Sequence, residues 1–181
     1  MNRIPNWPLV LAMLAAGILA GCSQTIKSPD VSDNIRRSLD QAGLQKVSIN
    51  QDRDKGVVTL GGHVQADGDK AQAEAIAKSL AGGQVVSNQI AVVPLGSESD
   101  ARTMNSDLDR GIEQNLDAAL IQSKLHDGVK YAVKNHVVTL TGEVDSQSKR
   151  QEAENVAASV PNVQQVVNEL QVKNQKASST E

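Results

Sequence analysis

Aromatic side chains are almost absent from this chain. It has no Phe, one Trp and one Tyr in 181 residues. Trp7 lies near the start, so Tyr131 is the only aromatic group in the body of the protein. Single-stranded nucleic acids are held on stacked aromatic faces, and a sugar-stacking site needs similar faces. Neither can be built here, and any core must be made of Val, Leu, Ile and Ala. Excess positive charge is also missing: 18 Lys and Arg stand against 21 Asp and Glu, a formal net charge of −3. Nucleic-acid binders carry a basic footprint, so no nucleic acid is expected as a partner. The single cysteine, Cys22, excludes a disulfide within the chain. No phosphate-binding Gly-x-x-x-x-Gly-Lys loop and no Gly-rich dinucleotide fingerprint occurs, and no cofactor is expected.

The N-terminus is informative. Arg3 is the only charged residue before Cys22, and an apolar run of 12 residues follows from Leu9 to Ala20. A short basic region, an apolar core and small residues at the end make a secretory signal. The run falls short of the roughly 20 residues that span a bilayer. It ends in Leu19-Ala20-Gly21-Cys22, which resembles the bacterial lipobox, where the cysteine is lipidated and the bond before it is cut. A thiolate is the side chain suited to alkylation, and small residues at Ala20 and Gly21 let a protease close on the chain. Residues 1–21 are therefore expected to be removed and Cys22 to carry lipid. Loss of Arg3 moves the net charge to −4 over the remaining 160 residues. Stable anchoring needs about two membrane signals, which the several acyl chains of a lipobox cysteine would supply.

The rest of the chain repeats itself. Gly56-Val57-Val58-Thr59-Leu60-Gly61-Gly62-His63-Val64 matches His136-Val137-Val138-Thr139-Leu140-Thr141-Gly142-Glu143-Val144 at an offset of 80. Ala73-Glu74 meets Ala153-Glu154 at the same offset, and Asn88 meets Asn168. Upstream, an offset of 77 pairs Ile35 and Leu39 with Ile112 and Leu116, which implies three extra residues before the first strand of the second copy.

Each copy reads as helix, strand, strand, helix, strand. Val31, Ile35 and Leu39 recur every fourth residue, as do Leu108, Ile112, Leu116 and Leu120, the spacing of an amphipathic helix. Two β-branched runs around a polar turn follow, Val47–Asn50 with Val57–Val64 and Val129–Val133 with Val137–Val144, which predicts a hairpin. The next helix is expected to start at Asp67 or Ser146 as N-caps, and a third strand closes the unit at 85–93 or 163–172. The fold class is α+β: two tandem small α-β-β-α-β units, each a three-stranded sheet packed by two helices. The expected division is a signal peptide at 1–21, a tether at 22–30, units at 31–93 and 108–173, a polar linker with Pro94 and Gly96 at 94–107, and a disordered tail at 174–181.

The signature Val-x-Leu-x-Gly-x-Val, at Val58–Val64 and Val138–Val144, resembles that of the BON domain, named for bacterial OsmY and nodulation proteins. Val160-Pro161-Asn162-Val163 and Val166-Val167-Asn168-Glu169-Leu170 carry the likeness further in the second copy. The first copy departs at Ala81-Gly82-Gly83-Gln84. The resemblance implies a non-enzymatic periplasmic or envelope protein. It would bind phospholipid surfaces or envelope partners in envelope maintenance or osmotic stress tolerance. The alternative is a protein-binding adaptor without intrinsic lipid binding. Ser23 after Cys22 resembles the pattern that sorts lipoproteins to the outer rather than the inner membrane.

Candidate site residues are few. Arg36 and Arg37 are the candidate headgroup contacts, because the nine residues from Cys22 to Val31 reach at most about 30 Å. Near an anionic surface a Lys or Arg contributes about 1 kcal/mol. The first unit is balanced at seven bases and seven acids, and the second carries seven and nine. Gly62 and Gly142 inside strands are expected to be structural, marking a bulge or a close backbone approach. His63, His126 and His136 stand apart with no second ligand at metal spacing and are expected on the surface. Glu74 and Glu154 are expected to be solvated helix carboxylates. No nucleophile, base and orienting group come together, so neither a catalytic nor a metal site is expected.

Overall fold

A computed structural model describes residues 27–96 and 98–173. The first unit contains α1 (Ser32–Gln41), β1 (Val47–Asp52), β2 (Val57–Val64), α2 (Asp67–Leu80), β3 (Val85–Asn88) and β4 (Ala91–Val92). The second contains α3 (Glu98–Gln122), β5 (Val129–Lys134), β6 (Val137–Val144), α4 (Gln147–Ala158), β7 (Gln165–Asn168) and β8 (Gln171–Val172). In each sheet the second strand is central. β1 pairs antiparallel with β2, and β3 and β4 pair parallel with its other side. The second unit repeats this order. The expected third strand is thus one strand broken in the middle.

The break has a side-chain cause. Asn88 Oδ1 accepts from the Ile90 N–H at 3.3 Å, and its Nδ2 donates to Glu74 Oε2 at 2.8 Å. Asn168 does the same, accepting from Leu170 N–H at 3.2 Å and donating to Glu154 Oε2 at 2.9 Å. An asparagine that bonds its own backbone two residues on competes with the ladder. Glu74 and Glu154 are therefore not simply solvated: each pins a helix to the strand break.

Alternation along β2 and β6 sends Val58 and Leu60, or Val138 and Leu140, toward the helices. There they meet Ile35, Leu39, Ala73 and Ala77, or Leu116, Leu120, Ala153 and Ala157, all without solvent exposure. Alanines on α2 and α4 let the helices sit close to the sheet. Ser146 caps α4, accepting from Lys149 N–H at 3.2 Å. Asp67 does not cap α2. The cap position is Ala66, and Asp67 stands inside the first turn with Asp69, where negative charge suits the helix dipole.

Two expectations fail at α3. The helix starts at Glu98, so most of the expected linker is helical. The pairing at offset 77 is also one turn out. Leu44 N–H bonds the Leu39 carbonyl and Leu125 N–H bonds the Leu120 carbonyl, both at 2.9 Å, so Leu39 corresponds to Leu120, an offset of 81. The second copy gains one residue between helix and strand and loses two in the hairpin turn. Apolar residues every fourth position look the same after a shift of one turn, so the pattern could not choose. The N-terminal half of α3 is an extension with no counterpart among the described residues of the first unit.

The units pack through the sheet faces turned away from the helices. Val57, Val137 and Val167 form a buried cluster between them. Lys55 Nζ pairs with Glu169 Oε2 at 2.6 Å, and Asn135 Nδ2 donates to the Gln89 carbonyl at 2.7 Å. Residues 55 and 135 are equivalent, as are 89 and 169, so the contact is reciprocal, as in a two-fold dimer. The Gln165 amide breaks the symmetry. It donates to the Val86 carbonyl at 2.7 Å and accepts from Asn88 N–H at 2.9 Å, covering the open edge of β3.

Candidate functional site

The extension of α3 gives the junction its shape. Asp109 on this helix accepts from the backbone N–H groups of Asn135 and His136, both at 2.8 Å. These two residues form the β5–β6 turn with φ of 48° and 66°, the left-handed pair of a tight hairpin. One carboxylate therefore locks the turn that touches the first unit. Beside it lie two hollows. The outer, about 330 Å³, runs between Ala91 and the Arg102, Asp109, Arg110 and Glu113 side of α3. The inner, about 180 Å³, is lined by Asp67, Lys70, Asn105, His136 and Gln164. Ala91, Asn105 and Asn135 border both.

The inner hollow holds polar groups that are unevenly satisfied. Lys70 Nζ donates to Gln164 Oε1 at 3.1 Å, across the junction. Burial pulls its pKa below the ordinary lysine value, against the opposing pull of Asp67 and Glu74. His136 Nε2 is enclosed and has no hydrogen-bond partner among the described residues. His136 is thus not the free surface histidine expected. His126 is exposed, within 3.2 Å of Asp117 Oδ1, and His63 is half-buried. The sequence offered no signal for this site, because the hollow forms only where two units and the helical extension meet.

The expected site residues lie elsewhere. Arg36 is half committed, donating to the Val47 carbonyl at 2.7 Å and pairing with Asp40 at 3.5 Å. Arg37 is exposed and donates to the Asp33 carbonyl at 3.3 Å and to Asn34 Oδ1. The two neighbours do not share a partner. Gly62 has φ of 85°, and a Cβ there would lie 2.1 Å from the Lys46 carbonyl oxygen. Gly142 has φ of 112°, with Gly128 O at 2.5 Å from such a Cβ. Cys22 and the lipobox residues Leu19, Ala20 and Gly21 lie outside the described residues, as does 174–181. Among the described residues no helix is long and apolar enough to cross a membrane. No group of three His, Cys, Asp or Glu there could hold a metal ion.

The family model described as BON domain matches residues 28–94 and again 108–174. The chain belongs to the BON family. Both matches coincide with the α-β-β-α-β units. The chain is also 30% identical over 141 residues to Osmotically-inducible protein Y of Escherichia coli (strain K12), covering 75% of this chain and 67% of that protein. Among solved structures it is similar to the C-terminal domain of CdsD, the structural protein of the type III secretion system of Chlamydia trachomatis. The identity is 14% and the TM-score 0.33, over 80% of this chain and 66% of that one. A second CdsD structure matches at 14% and 0.33, with 78% and 61% covered. The chain thus spans just under two thirds of those solved chains, and a likeness at that level bears on neither mechanism nor partner.

Proposed function

We propose that this BON protein works in the bacterial periplasm, held to a membrane by lipid on Cys22. There its repeats bind phospholipid surfaces or envelope partners in osmotic or envelope stress tolerance. The observation that carries the reading is the pair of BON units behind Leu19-Ala20-Gly21-Cys22. The relationship to Osmotically-inducible protein Y supports the osmotic stress assignment. Surface binding has two candidate contributors. Arg37 is exposed on α1, and Arg36 precedes it on the same helix. On α3, Met104 and Leu108 stand one turn apart at 65% and 39% exposure, and this apolar pair is the second contributor.

A second reading, the adaptor that binds protein while lipid supplies only location, draws on charge. The second unit carries nine acids to seven bases, which anionic headgroups would repel. Flotation of the lipid-free chain from Ser23 to Glu181 with anionic vesicles at low salt separates the two. Co-flotation lost in Arg37→Glu supports surface binding. A chain that stays at the bottom removes intrinsic lipid binding and leaves the adaptor. The anchor has its own test: Cys22→Ala should accumulate as uncleaved or released protein. Normal membrane fractionation of that variant would overturn the anchor.

A further inference from the structure

Lys70 and Arg150 occupy equivalent places on α2 and α4, yet they are used differently. Arg150 donates to the carbonyls of Asn168 and Leu170, both at 3.0 Å, and so closes the strand break of its own unit. Lys70 leaves the matching break and turns into the inner hollow. There Gln164 Oε1 is the one protein acceptor within hydrogen-bond distance among the described residues. An ammonium has three donors, so two have no protein acceptor.

The surrounding groups compensate only in part. Asp109 has both carboxylate oxygens occupied by the N–H groups of Asn135 and His136. Asp67 is the one acid lining the inner hollow, where it partly offsets the Lys70 charge, and Asp109 and Glu113 line the outer one with Arg102 and Arg110. Asn105 is half-buried and lines both hollows. His136 Nε2 sits enclosed at the same wall, unsatisfied. Buried polar groups are normally paired, and an exception points to a bound water, ion or ligand. A half-buried lysine that burial destabilises despite two acidic neighbours is relieved by one more negative charge.

We propose that the inner hollow binds a small oxyanion, a phosphate or a carboxylate, with Lys70 Nζ and the Asn105 amide as donors and His136 turning its imidazole to complete the set. The hollow, of about 180 Å³, suits such a group rather than a large ligand, and the outer hollow leaves room for what the group is attached to. Both repeats and the α3 extension contribute, so the site belongs to the tandem arrangement. It does not rest on the membrane reading above.

The test uses the lipid-free chain 23–181, isotope-labelled, with inorganic phosphate and then acetate titrated at constant ionic strength. Side-chain amide signals of Asn105 and Gln164 and the His136 imidazole should shift saturably with at least one of them. Lys70→Gln, which keeps a polar side chain of similar length, should weaken binding about tenfold or more. Asn105→Ala should weaken it without touching Lys70, and Lys130→Gln, an exposed lysine on β5 that does not line the hollow, should leave it unchanged. A repeat with anionic phospholipid vesicles identifies the source. Vesicles that displace phosphate from these signals make the natural ligand a headgroup, and vesicles that do not make it a soluble anion. Both outcomes uphold the site. Signals that do not respond to excess phosphate or acetate, or that respond equally in Lys70→Gln, overturn it, whatever the flotation assay shows.

Discussion

Replacing Gly62 by alanine should be among the most damaging small changes available in this protein. Two costs add. At φ of 85° an L-residue in the left-handed region loses about 1–2 kcal/mol. The new Cβ would lie 2.1 Å from the Lys46 carbonyl oxygen, where ordinary contact begins near 3.4 Å. That oxygen is backbone and cannot swing away. The hairpin must open by about 1 Å at the pair Val47 and Gly62, and forced shifts in a packed region cost about 1–3 kcal/mol. The expected loss is about 3 kcal/mol, a large share of the 5–15 kcal/mol that holds a typical domain. Gly43→Ala is the control, because Gly43 has φ of 79° but nothing within 4 Å of a new Cβ. It should cost about 1 kcal/mol. Urea unfolding followed by far-ultraviolet circular dichroism is the suitable assay, since Tyr131 is the only aromatic residue after Trp7. Losses for Gly62→Ala and Gly43→Ala equal within about 0.5 kcal/mol would refute the close-approach argument.

Further outcomes follow from the junction and the caps. Asp109→Ala leaves two turn N–H groups without their acceptor and should cost about 2–3 kcal/mol, with faster amide exchange at Asn135 and His136; unchanged exchange would mean the turn is held by something else. Ser146→Ala should cost about 1 kcal/mol, whereas Asp67→Ala should lose only a dipole contribution of a few tenths, so equal losses in thermal melts would argue against the difference in capping. Glu74 has its pKa lowered first by the hydrogen bond from Lys78, with Asn88 helping and burial opposing. A depressed carboxylate stabilises the fold above its unfolded pKa and loses that contribution as pH falls through the folded value. Stability should therefore drop on acidification below about 4.5, and Glu74→Gln should flatten that part of the profile in pH-dependent unfolding.

Much of the secondary structure was legible because each element carries its own period. β2 and β6 run from Val57 to Val64 and from Val137 to Val144, the limits set by the repeated Val-Val-Thr-Leu runs and their turns. Gly62 and Gly142 stand out within those strands because glycine is costly in a sheet without a reason. Signals that depend on which turn of a helix is used were not legible. Ile35 corresponds to Leu116 rather than Ile112, and no property of a four-residue spacing reveals it. The start of α3 was obscured by polar residues 98–107, whose helicity is supported from outside, where the extension borders Ala91 and the Asn135 turn.

The sequence by itself determined the class of elements, their order, the aliphatic nature of the core and the duplication. These rest on local periodicity and composition, which need no knowledge of distant partners. Only the tertiary structure decided the order of strands, the reciprocal packing of the repeats and the uses of Asp109, Lys70 and His136. Each of these depends on groups brought together from far apart in the chain: Lys70 meets Gln164 and Asn135 meets Gln89. Such contacts form because each unit buries the outer face of its sheet against the other. A residue's neighbours along the chain carry no record of that burial.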